Sequence, residues 1–163
     1  MAQSLRAAVL TVSDSVFQGK RRDGSGPAVS ELLQQNGWSV VHSRVVADDL
    51  AVIAATFREL CAQNVEAIFT TGGTGVAPRD VTPEATRKVI VREIPGLAEQ
   101  MRREGTKTSP TAALSRGVAG ISGNSLIINL PGSPAGAVES LKAILSLLPH
   151  TVELIAGGNP HAE

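Results

Sequence analysis

The 163-residue chain carries 15 basic and 15 acidic side chains, and its formal net charge of zero argues against a broad nucleic-acid-binding surface. It contains no tyrosine and one tryptophan, so it lacks the aromatic platforms on which single-stranded nucleic acids stack. Cys61 is the only cysteine, which excludes an intrachain disulfide and a cysteine metal cluster.

The first half of the chain predicts strands that alternate with helices. Apolar runs rich in valine and leucine indicate three strands, and stretches with a helical spacing of apolar residues separate them. Such alternation is typical of a parallel sheet that helices cover on both faces. A polar, basic loop at residues 17–26 precedes the first helix. The predicted strands cover residues 5–12, 38–46 and 65–70, and the helices between them begin at Pro27 and at a cap on Asp48 or Asp49.

The second half begins with a glycine-rich turn and ends with a hairpin and a helix. Thr82 is predicted to cap a helix that begins at Pro83 and is interrupted at residues 95–96. The Gly-Asn pair at residues 123–124 predicts the hairpin turn. We therefore expect an α/β fold, three-layer α/β/α, with a mostly parallel sheet and one hairpin-like antiparallel edge. The remaining predicted elements are helices from residue 97, over residues 109–117 and from residue 134 to about residue 148, and strands at residues 118–121 and 125–130.

The glycine-rich turn is the most informative segment. Residues 70–75 read Thr-Thr-Gly-Gly-Thr-Gly and follow an apolar run at residues 67–69. Because glycine has no Cβ, the backbone N–H groups of such a turn can approach phosphate oxygens closely, and Thr71 and Thr74 add hydroxyl groups. The alternative is a tight strand-to-helix connection without a ligand. The sequence contains no G-x-x-x-x-G-K-[ST] motif, and residues 24–29 lack the last glycine of a dinucleotide-binding motif.

Polar side chains or glycine turns follow four predicted strands. Ligands of an open parallel sheet bind beyond the carboxyl ends of its strands. We therefore expect the four strand ends to form one crevice for an anionic ligand. Ser133 also begins a helix, where it either faces an anion or acts as an ordinary helix cap. The four segments are Ser13-Asp14-Ser15, Asp48-Asp49, the turn at residues 72–80, and Pro131-Gly132-Ser133-Pro134.

Two acids stand out as metal-binding candidates. Asp48 and Asp80 could hold Mg²⁺ while substrate phosphates complete its coordination. The alternatives are a helix cap for Asp48, an ion pair with Arg79 for Asp80 and an Asx turn for Asp14. The basic run at residues 20–22 either folds over a polyphosphate or is a solvated surface.

Several of these motifs together resemble the MogA/MoaB family of molybdenum-cofactor biosynthesis, which includes the gephyrin G domain. The resemblance covers nearly the whole chain in order and spacing, and the blocks at residues 70–75 and 79–84 are highly specific. The matching motifs are Thr-Val-Ser-Asp-Ser at residues 11–15, Thr-Thr-Gly-Gly-Thr-Gly at 70–75, Arg-Asp-Val-Thr-Pro-Glu at 79–84, Leu-Ser-Arg at 114–116 and Leu-Pro-Gly-Ser-Pro at 130–134.

The resemblance implies a molybdopterin adenylyltransferase, in which the terminal phosphate of molybdopterin attacks the α-phosphate of Mg-ATP. The alternative is a MoaB-like molybdopterin-binding protein with weak or no adenylyltransferase activity. Family members form homotrimers or, in the MoaB-like branch, hexamers, and a hand-over to a molybdenum-inserting partner is implied. Another alternative, the competence-damage group, is disfavoured by the loop at residues 130–134 and the single-domain length.

The resemblance also assigns residues to roles. Asp48 and Asp80 match the functional acids of the family, and we expect them to be catalytic and to bind Mg²⁺. We expect the remaining matched positions to bind ATP or molybdopterin. These positions are Ser13, Asp14, Gly72, Gly73, Thr74, Gly75, Arg79, Thr82, Pro83, Glu84, Gly132 and Ser133.

The location and extent of the protein are further expectations. The first six residues lack the basic start and apolar core of a signal peptide, and no run of about eighteen apolar residues occurs. We therefore expect a cytoplasmic protein that contacts neither membrane nor nucleic acid. Its length fits one domain, and the resemblance implies a single molybdopterin-binding domain over residues 1–163.

Overall fold

Six strands form one sheet in the computed structural model, which describes residues 3–159 of the chain. The ends of the predicted domain, residues 1–2 and 160–163, lie outside the described residues. The strands are β1 (Arg6–Val12), β2 (Ser39–Val46), β3 (Ala67–Thr71), β4 (Arg92–Glu93), β5 (Ala119–Ser122) and β6 (Ser125–Leu130). The α-helices are α1 (Asp14–Phe17), α2 (Ser25–Gln35), α3 (Leu50–Ala62), α4 (Thr82–Arg87), α5 (Pro95–Thr108), α6 (Pro134–Ile144) and α7 (Leu148–Ile155).

The order of strands across the sheet is β2-β1-β3-β6-β5-β4. The first four of these strands pair in parallel, β5 runs antiparallel to β6, and β4 runs antiparallel to β5. The mostly parallel sheet with a hairpin at one edge is therefore confirmed. The carboxyl ends of β2, β1, β3 and β6 lie at the same edge of the sheet.

Two apolar layers hold the helices against the sheet. Successive strand residues point to opposite faces, so that Ile68 packs in the layer of α3 and Phe69 in the layer of α2 and α6. Burial of these layers supplies the main stabilising term, because each fully buried large side chain contributes roughly 1.5–3 kcal/mol. The central strands β3 and β6 are buried along their whole length, as expected for strands covered on both faces.

The chain between β1 and β2 differs from its sequence-based prediction. The short helix α1 follows β1 at once, because Ser13 Oγ accepts a hydrogen bond from the N–H of Val16. Helix α2 begins at Ser25 rather than at Pro27. Asp23 Oδ1 accepts the N–H of Gly26 over 3.0 Å and so starts the helix earlier.

The second half also differs from its prediction in four places. The helix predicted over residues 109–117 is a shorter 3₁₀ helix at Pro110–Leu114. β4 is a two-residue strand, too short to show a periodic pattern. Pro95 begins α5 instead of interrupting a helix, because proline fits the first helical turn. The predicted last helix is divided, since α6 ends at Ile144 and a 3₁₀ turn at Leu145–Leu147 leads into α7. Within the described residues no helix is long and apolar enough to span a bilayer.

Candidate active site

The ends of four parallel strands meet at one edge of the sheet, as predicted. A Cβ placed on Gly72, after β3, would lie 2.3 Å from the carbonyl oxygen of Val12 at the end of β1. A Cβ on Gly132, after β6, would lie 3.3 Å from the Cα of Gly72. A side chain on Gly72 would clash with that carbonyl, and its φ of +92° is one that L side chains rarely adopt, whereas a side chain on Gly132 would be tight. The glycines therefore bring three loops into contact.

Two adjoining cavities open above these loops. The larger has a volume of about 560 Å³ and the smaller about 380 Å³, both within the range of small-molecule sites. Both cavities are lined by Gly73, Asp80, Gly132 and Ser133, which form their common boundary. Of the other predicted site residues, Ser13, Asp48 and Gly72 line the larger cavity, and Thr74 and Gly75 line the smaller.

Asp14 and Asp48 hold each other through reciprocal hydrogen bonds. The N–H of Asp14 donates to Asp48 Oδ2 over 2.9 Å, and the N–H of Asp48 donates to Asp14 Oδ1 over 3.0 Å. The helix cap of α3 is Asp49, whose carboxylate accepts the N–H of Val52, so the cap interpretation of Asp48 is wrong. The Asp48 carboxylate therefore does not cap α3 and lines the larger cavity instead.

Arg79 pairs with Asp14 instead of its neighbour Asp80. Its Nε donates to Asp14 Oδ2, and its Nη2 donates to the carbonyl of Asp48 over 3.3 Å. The alternatives of an Arg79–Asp80 ion pair and of an Asx turn at Asp14 are therefore wrong. Arg79 connects the loops after β1, β2 and β3.

The two paired acids have opposite electrostatic environments. The hydrogen bond from Arg79 holds the pKa of the Asp14 carboxyl below its ordinary value. Burial raises the pKa of Asp48, and the charges of Asp14 and Asp80 add to that rise, although the N–H of Asp14 opposes it. A cation between the loops would relieve this cost at Asp48.

Asp48 and Asp80 could bind Mg²⁺ only together with a ligand that supplies further oxygens. Among residues 3–159, no group of three His, Cys, Asp or Glu side chains could hold a metal ion by itself. Mg²⁺ is commonly bound by one or two carboxylates together with substrate phosphates. Asp48 and Asp80 both line the larger cavity and supply that smaller set of oxygens.

Thr82 supports the glycine-rich turn from below. Its Oγ1 donates to the carbonyl of Gly72 over 3.0 Å, and its N–H donates to the carbonyl of Gly73 over 3.1 Å. The prediction that Thr82 caps a helix is therefore wrong, because Val81 precedes α4 without a side-chain cap. Gly73 has a φ of +68°, and a Cβ there would lie 2.2 Å from Thr82 Oγ1 and 3.2 Å from Asp48 Oδ1. Because residue 73 is glycine, the turn can lie close to both side chains.

Ser133 is an ordinary helix cap that also faces both cavities. Its Oγ accepts the N–H of Gly136 over 3.1 Å at the start of α6. Five predicted substrate-binding residues line neither cavity and lie behind or beside the loops, so their contact with substrate stays a prediction. They are Asp14, Arg79, Thr82, Pro83 and Glu84.

The basic loop borders the larger cavity through two of its three cations. Arg21 and Arg22 line the cavity, whereas Lys20 does not, and Arg21 Nη2 lies 3.5 Å from Ser13 Oγ. Asp23 anchors the end of this loop, because its Oδ2 accepts the hydroxyl of Thr11 over 2.7 Å. Asp23 had no predicted role, although an acid between a basic run and a Gly-Ser helix start is a usable signal.

Sequence reasoning also assigned no role to Arg116. Its guanidinium donates to the carbonyls of Gly75 and Asp80 over 2.7 Å and 2.8 Å, and it forms an ion pair with Glu84. The only signal was its place in the Leu-Ser-Arg motif, since its partners lie 32 to 41 residues away.

Residues 8–150 match the family model described as a probable molybdopterin binding domain. The chain belongs to this family. The predicted MogA/MoaB membership is therefore confirmed.

Relatives and solved structures agree with the match. The molybdopterin adenylyltransferase of Helicobacter pylori strain J99 is 42% identical over 158 residues, which cover 95% of this chain and 90% of the relative. The molybdenum cofactor synthesis protein cinnamon of Drosophila melanogaster is 43% identical over 94% of this chain, but the match spans only 26% of that longer protein. The crystal structure of the molybdopterin biosynthesis enzyme MoaB of Thermus thermophilus has a TM-score of 0.89 and 49% identity, covering 94% of this chain and 97% of that one.

Proposed function

We propose that this member of the molybdopterin-binding family is a molybdopterin adenylyltransferase acting in molybdenum cofactor biosynthesis. A terminal phosphate oxygen of molybdopterin forms a bond to the α-phosphorus of ATP. The bond from the α-phosphorus to the oxygen that bridges it to the β-phosphate breaks, and pyrophosphate leaves with that electron pair. The products are adenylyl-molybdopterin and pyrophosphate.

The observation that carries the proposal is the common boundary of the two cavities. Asp80 and the loop residues Gly73, Gly132 and Ser133 line both cavities. Two substrates in adjoining cavities would meet at these residues, as transfer between them requires. The names of relatives that this chain covers almost completely, such as the Helicobacter pylori adenylyltransferase, support the same reaction.

Different residues of the site would bind the substrate phosphates and neutralise their charge. The amides of the glycine-rich turn and the start of α6 at Ser133 offer N–H groups to phosphates. Arg21 and Arg22 offer guanidinium groups at the rim of the larger cavity. No protein side chain is required as a nucleophile, because the phosphate of molybdopterin is the attacking group. Phosphoryl-type transfer depends mainly on positioning and electrostatics.

Asp48 and Asp80 would hold Mg²⁺, directly or through water. The ion, when bound, neutralises charge on the phosphates of ATP. The raised pKa of Asp48 supports this role, because a cation stabilises the carboxylate that burial and neighbouring acids destabilise.

The proposal is tested by supplying the purified protein with molybdopterin and Mg-ATP and measuring pyrophosphate and adenylyl-molybdopterin. Asp80→Asn should lower kcat by about 100-fold or more, the usual effect of losing one electrostatic contact to a transition state. Asp49→Asn is the matched control, since asparagine still caps α3 and Asp49 lines neither cavity. Full turnover by Asp80→Asn, with its circular dichroism unchanged, would contradict the role of Asp80.

A second candidate is a MoaB-like protein that binds molybdopterin with weak or no adenylyltransferase activity. The observation in its favour is the 49% identity to MoaB of Thermus thermophilus. Tight molybdopterin binding without release of pyrophosphate would select this function over the first.

The assembly and location belong to the same proposal. The family resemblance supports a cytoplasmic homotrimer, with a hexamer as the alternative, that passes its product to a molybdenum-inserting partner. Sedimentation equilibrium would separate the two assemblies, because their masses differ twofold.

A further inference from the structure

Arg116 holds the loop that carries Asp80 from a place outside both cavities. Its guanidinium donates from Nε to the carbonyl of Gly75 over 2.7 Å and from Nη2 to the carbonyl of Asp80 over 2.8 Å. Its backbone N–H donates to the carbonyl of Thr74 over 2.8 Å. One residue therefore ties together the two ends of the turn at residues 76–79.

Apart from Arg116, the main restraint on that turn from outside it is the Arg79 side chain, which binds Asp14 and the carbonyl of Asp48. Residues 76–79 are all exposed, with Val76 at 68%. The Asp80 carboxylate accepts the N–H of Ala77 over 2.9 Å, and a Cβ on Gly75 would lie 2.9 Å from Asp80 Oδ2. The place of the carboxylate thus depends on how the two ends of the turn are held relative to each other, and the guanidinium bridges those ends.

Glu84 orients the guanidinium. It lies in the first turn of α4, and its Oε1 accepts a hydrogen bond from Arg116 Nη1. The other oxygen, Oε2, is buried and has no hydrogen-bond partner among the described residues. Loss of Arg116 would leave this partly desolvated carboxylate without its ion-pair partner. The pair therefore fixes the guanidinium relative to a helix rather than to the loop alone.

Arginine suits this place and lysine does not. A guanidinium is planar and directs several N–H groups along fixed lines, so that it reaches two carbonyls and one carboxylate at once. A lysine ammonium is a point charge on a flexible stem and cannot hold the three acceptors in one geometry.

We infer that Arg116, oriented by Glu84, is a positioning residue that sets the place of the Asp80 carboxylate towards the metal–nucleotide. This inference rests on the proposed function, in which Asp80 serves a metal-bound ATP. It predicts that the effect of disturbing Arg116 on metal affinity acts through Asp80.

Arg116→Lys is the test variant, and Arg44→Lys is its matched control. Arg44, on β2, lines neither cavity and forms an ion pair with Glu59, and the exposed fractions of the two arginine side chains are 34% and 36%. We expect Arg116→Lys to lower kcat for pyrophosphate release about 10- to 100-fold, as changes behind a metal ligand typically do, with KM for ATP nearly unchanged. Arg44→Lys disturbs an arginine ion pair away from the cavities and should leave kcat unchanged.

A double-mutant cycle of metal affinity tests, without measuring catalysis, whether Arg116 acts through Asp80. Electron paramagnetic resonance measures the affinity of Mn²⁺ for the protein in the presence of ATP. Arg116→Lys should weaken that affinity about 10-fold or more in the wild-type background and leave it unchanged in the Asp80→Asn background. Equal weakening in both backgrounds, or no weakening in either, would overturn the inference.

A second variant tests the inference in case Arg116→Lys does not fold. Glu84→Gln keeps the arginine and removes only the charge that orients it, and Glu59→Gln is its matched control. Glu84→Gln should change kcat and Mn²⁺ affinity in the same direction as Arg116→Lys but less. Failure of the proposed function is recognised separately, because the wild-type protein would then release no pyrophosphate whatever the binding cycle shows.

Discussion

Asp48, one of the two acids proposed to bind metal, lies in an unfavourable electrostatic environment. Its backbone and carboxylate are held by Asp14, yet burial and the nearby charges of Asp14 and Asp80 raise its pKa. A carboxylate kept in such a place costs stability in the absence of a ligand. Perturbed acids of this kind are found at functional sites more often than elsewhere.

The pH dependence of stability follows from that shift. The folded-state pKa of Asp48 lies above the ordinary value of 3.8, so the folded protein binds more protons than the unfolded chain between those two values. Stability therefore falls as the pH rises through this window. Below the window the carboxyl is neutral in both states and costs nothing.

Asp48→Asn should therefore raise the melting temperature at pH 7 by about 2–4 °C for each kcal/mol of relieved penalty. The gain should vanish when the melting is repeated well below pH 3.8. Adenylylation by the variant should be lost at the same time. Asp49→Asn serves as the control, and a melting temperature for Asp48→Asn at or below that of the wild type at pH 7 would contradict the prediction.

The start of helix α6 carries both an observed helix cap and a proposed ligand-binding role. Its first turn follows the loop after β6, and the Ser133 hydroxyl satisfies one of the free N–H groups there. The same end faces both cavities. The two roles of Ser133 can be separated, because helix caps tolerate several polar side chains whereas phosphate binding does not tolerate an added negative charge.

Two substitutions at Ser133 should therefore give opposite results. Ser133→Ala should lower the free energy of unfolding by about 1 kcal/mol, as measured by urea denaturation. Ser133→Asp should keep the stability, because aspartate is an equally good cap, but should weaken ATP binding in calorimetry. Unaltered ATP affinity in Ser133→Asp would remove the start of α6 from the nucleotide site.

At the scale of the whole molecule, the site is a junction of loops from four strands, closed by Arg79 on one side and Arg116 on the other. A ligand that bridges these loops stabilises the folded state by mass action. The loops themselves contribute few buried apolar contacts, since residues 76–79 and 132–135 are exposed. Binding should therefore be visible as a change in global stability.

Mg-ATP at about 100 times its Kd should stabilise the protein by about 2.7 kcal/mol, which corresponds to roughly 5–10 °C in melting temperature. Differential scanning calorimetry checks the shift. Removing the metal with EDTA, or replacing Asp80 with asparagine, should abolish most of it. An equal shift for ATP with and without magnesium would contradict the metal role of Asp48 and Asp80.

Much of this arrangement was predictable from local patterns. Every strand but β4, the hairpin at residues 123–124, the parallel sheet and the meeting of four strand ends follow from apolar periodicity, turn residues and the direction of parallel strands. The nine predicted residues that line the cavities belong to the strand ends that the sequence marks with glycine, hydroxyl or carboxylate groups. Element starts were less predictable, since Asp23 rather than Pro27 sets the beginning of α2.

The sequence by itself determined the family, the fold class and the edge of the sheet at which the candidate site lies, because these depend on patterns within a few residues of one another. Only the tertiary structure decided which side chains are partners. Arg79 pairs with Asp14, 65 residues away, and not with the adjacent Asp80. Arg116 and Thr82 donate hydrogen bonds to carbonyls of the glycine-rich turn. The physical reason is that a hydrogen bond or an ion pair depends on distance in space, which the packing of helices on the sheet sets and local sequence does not.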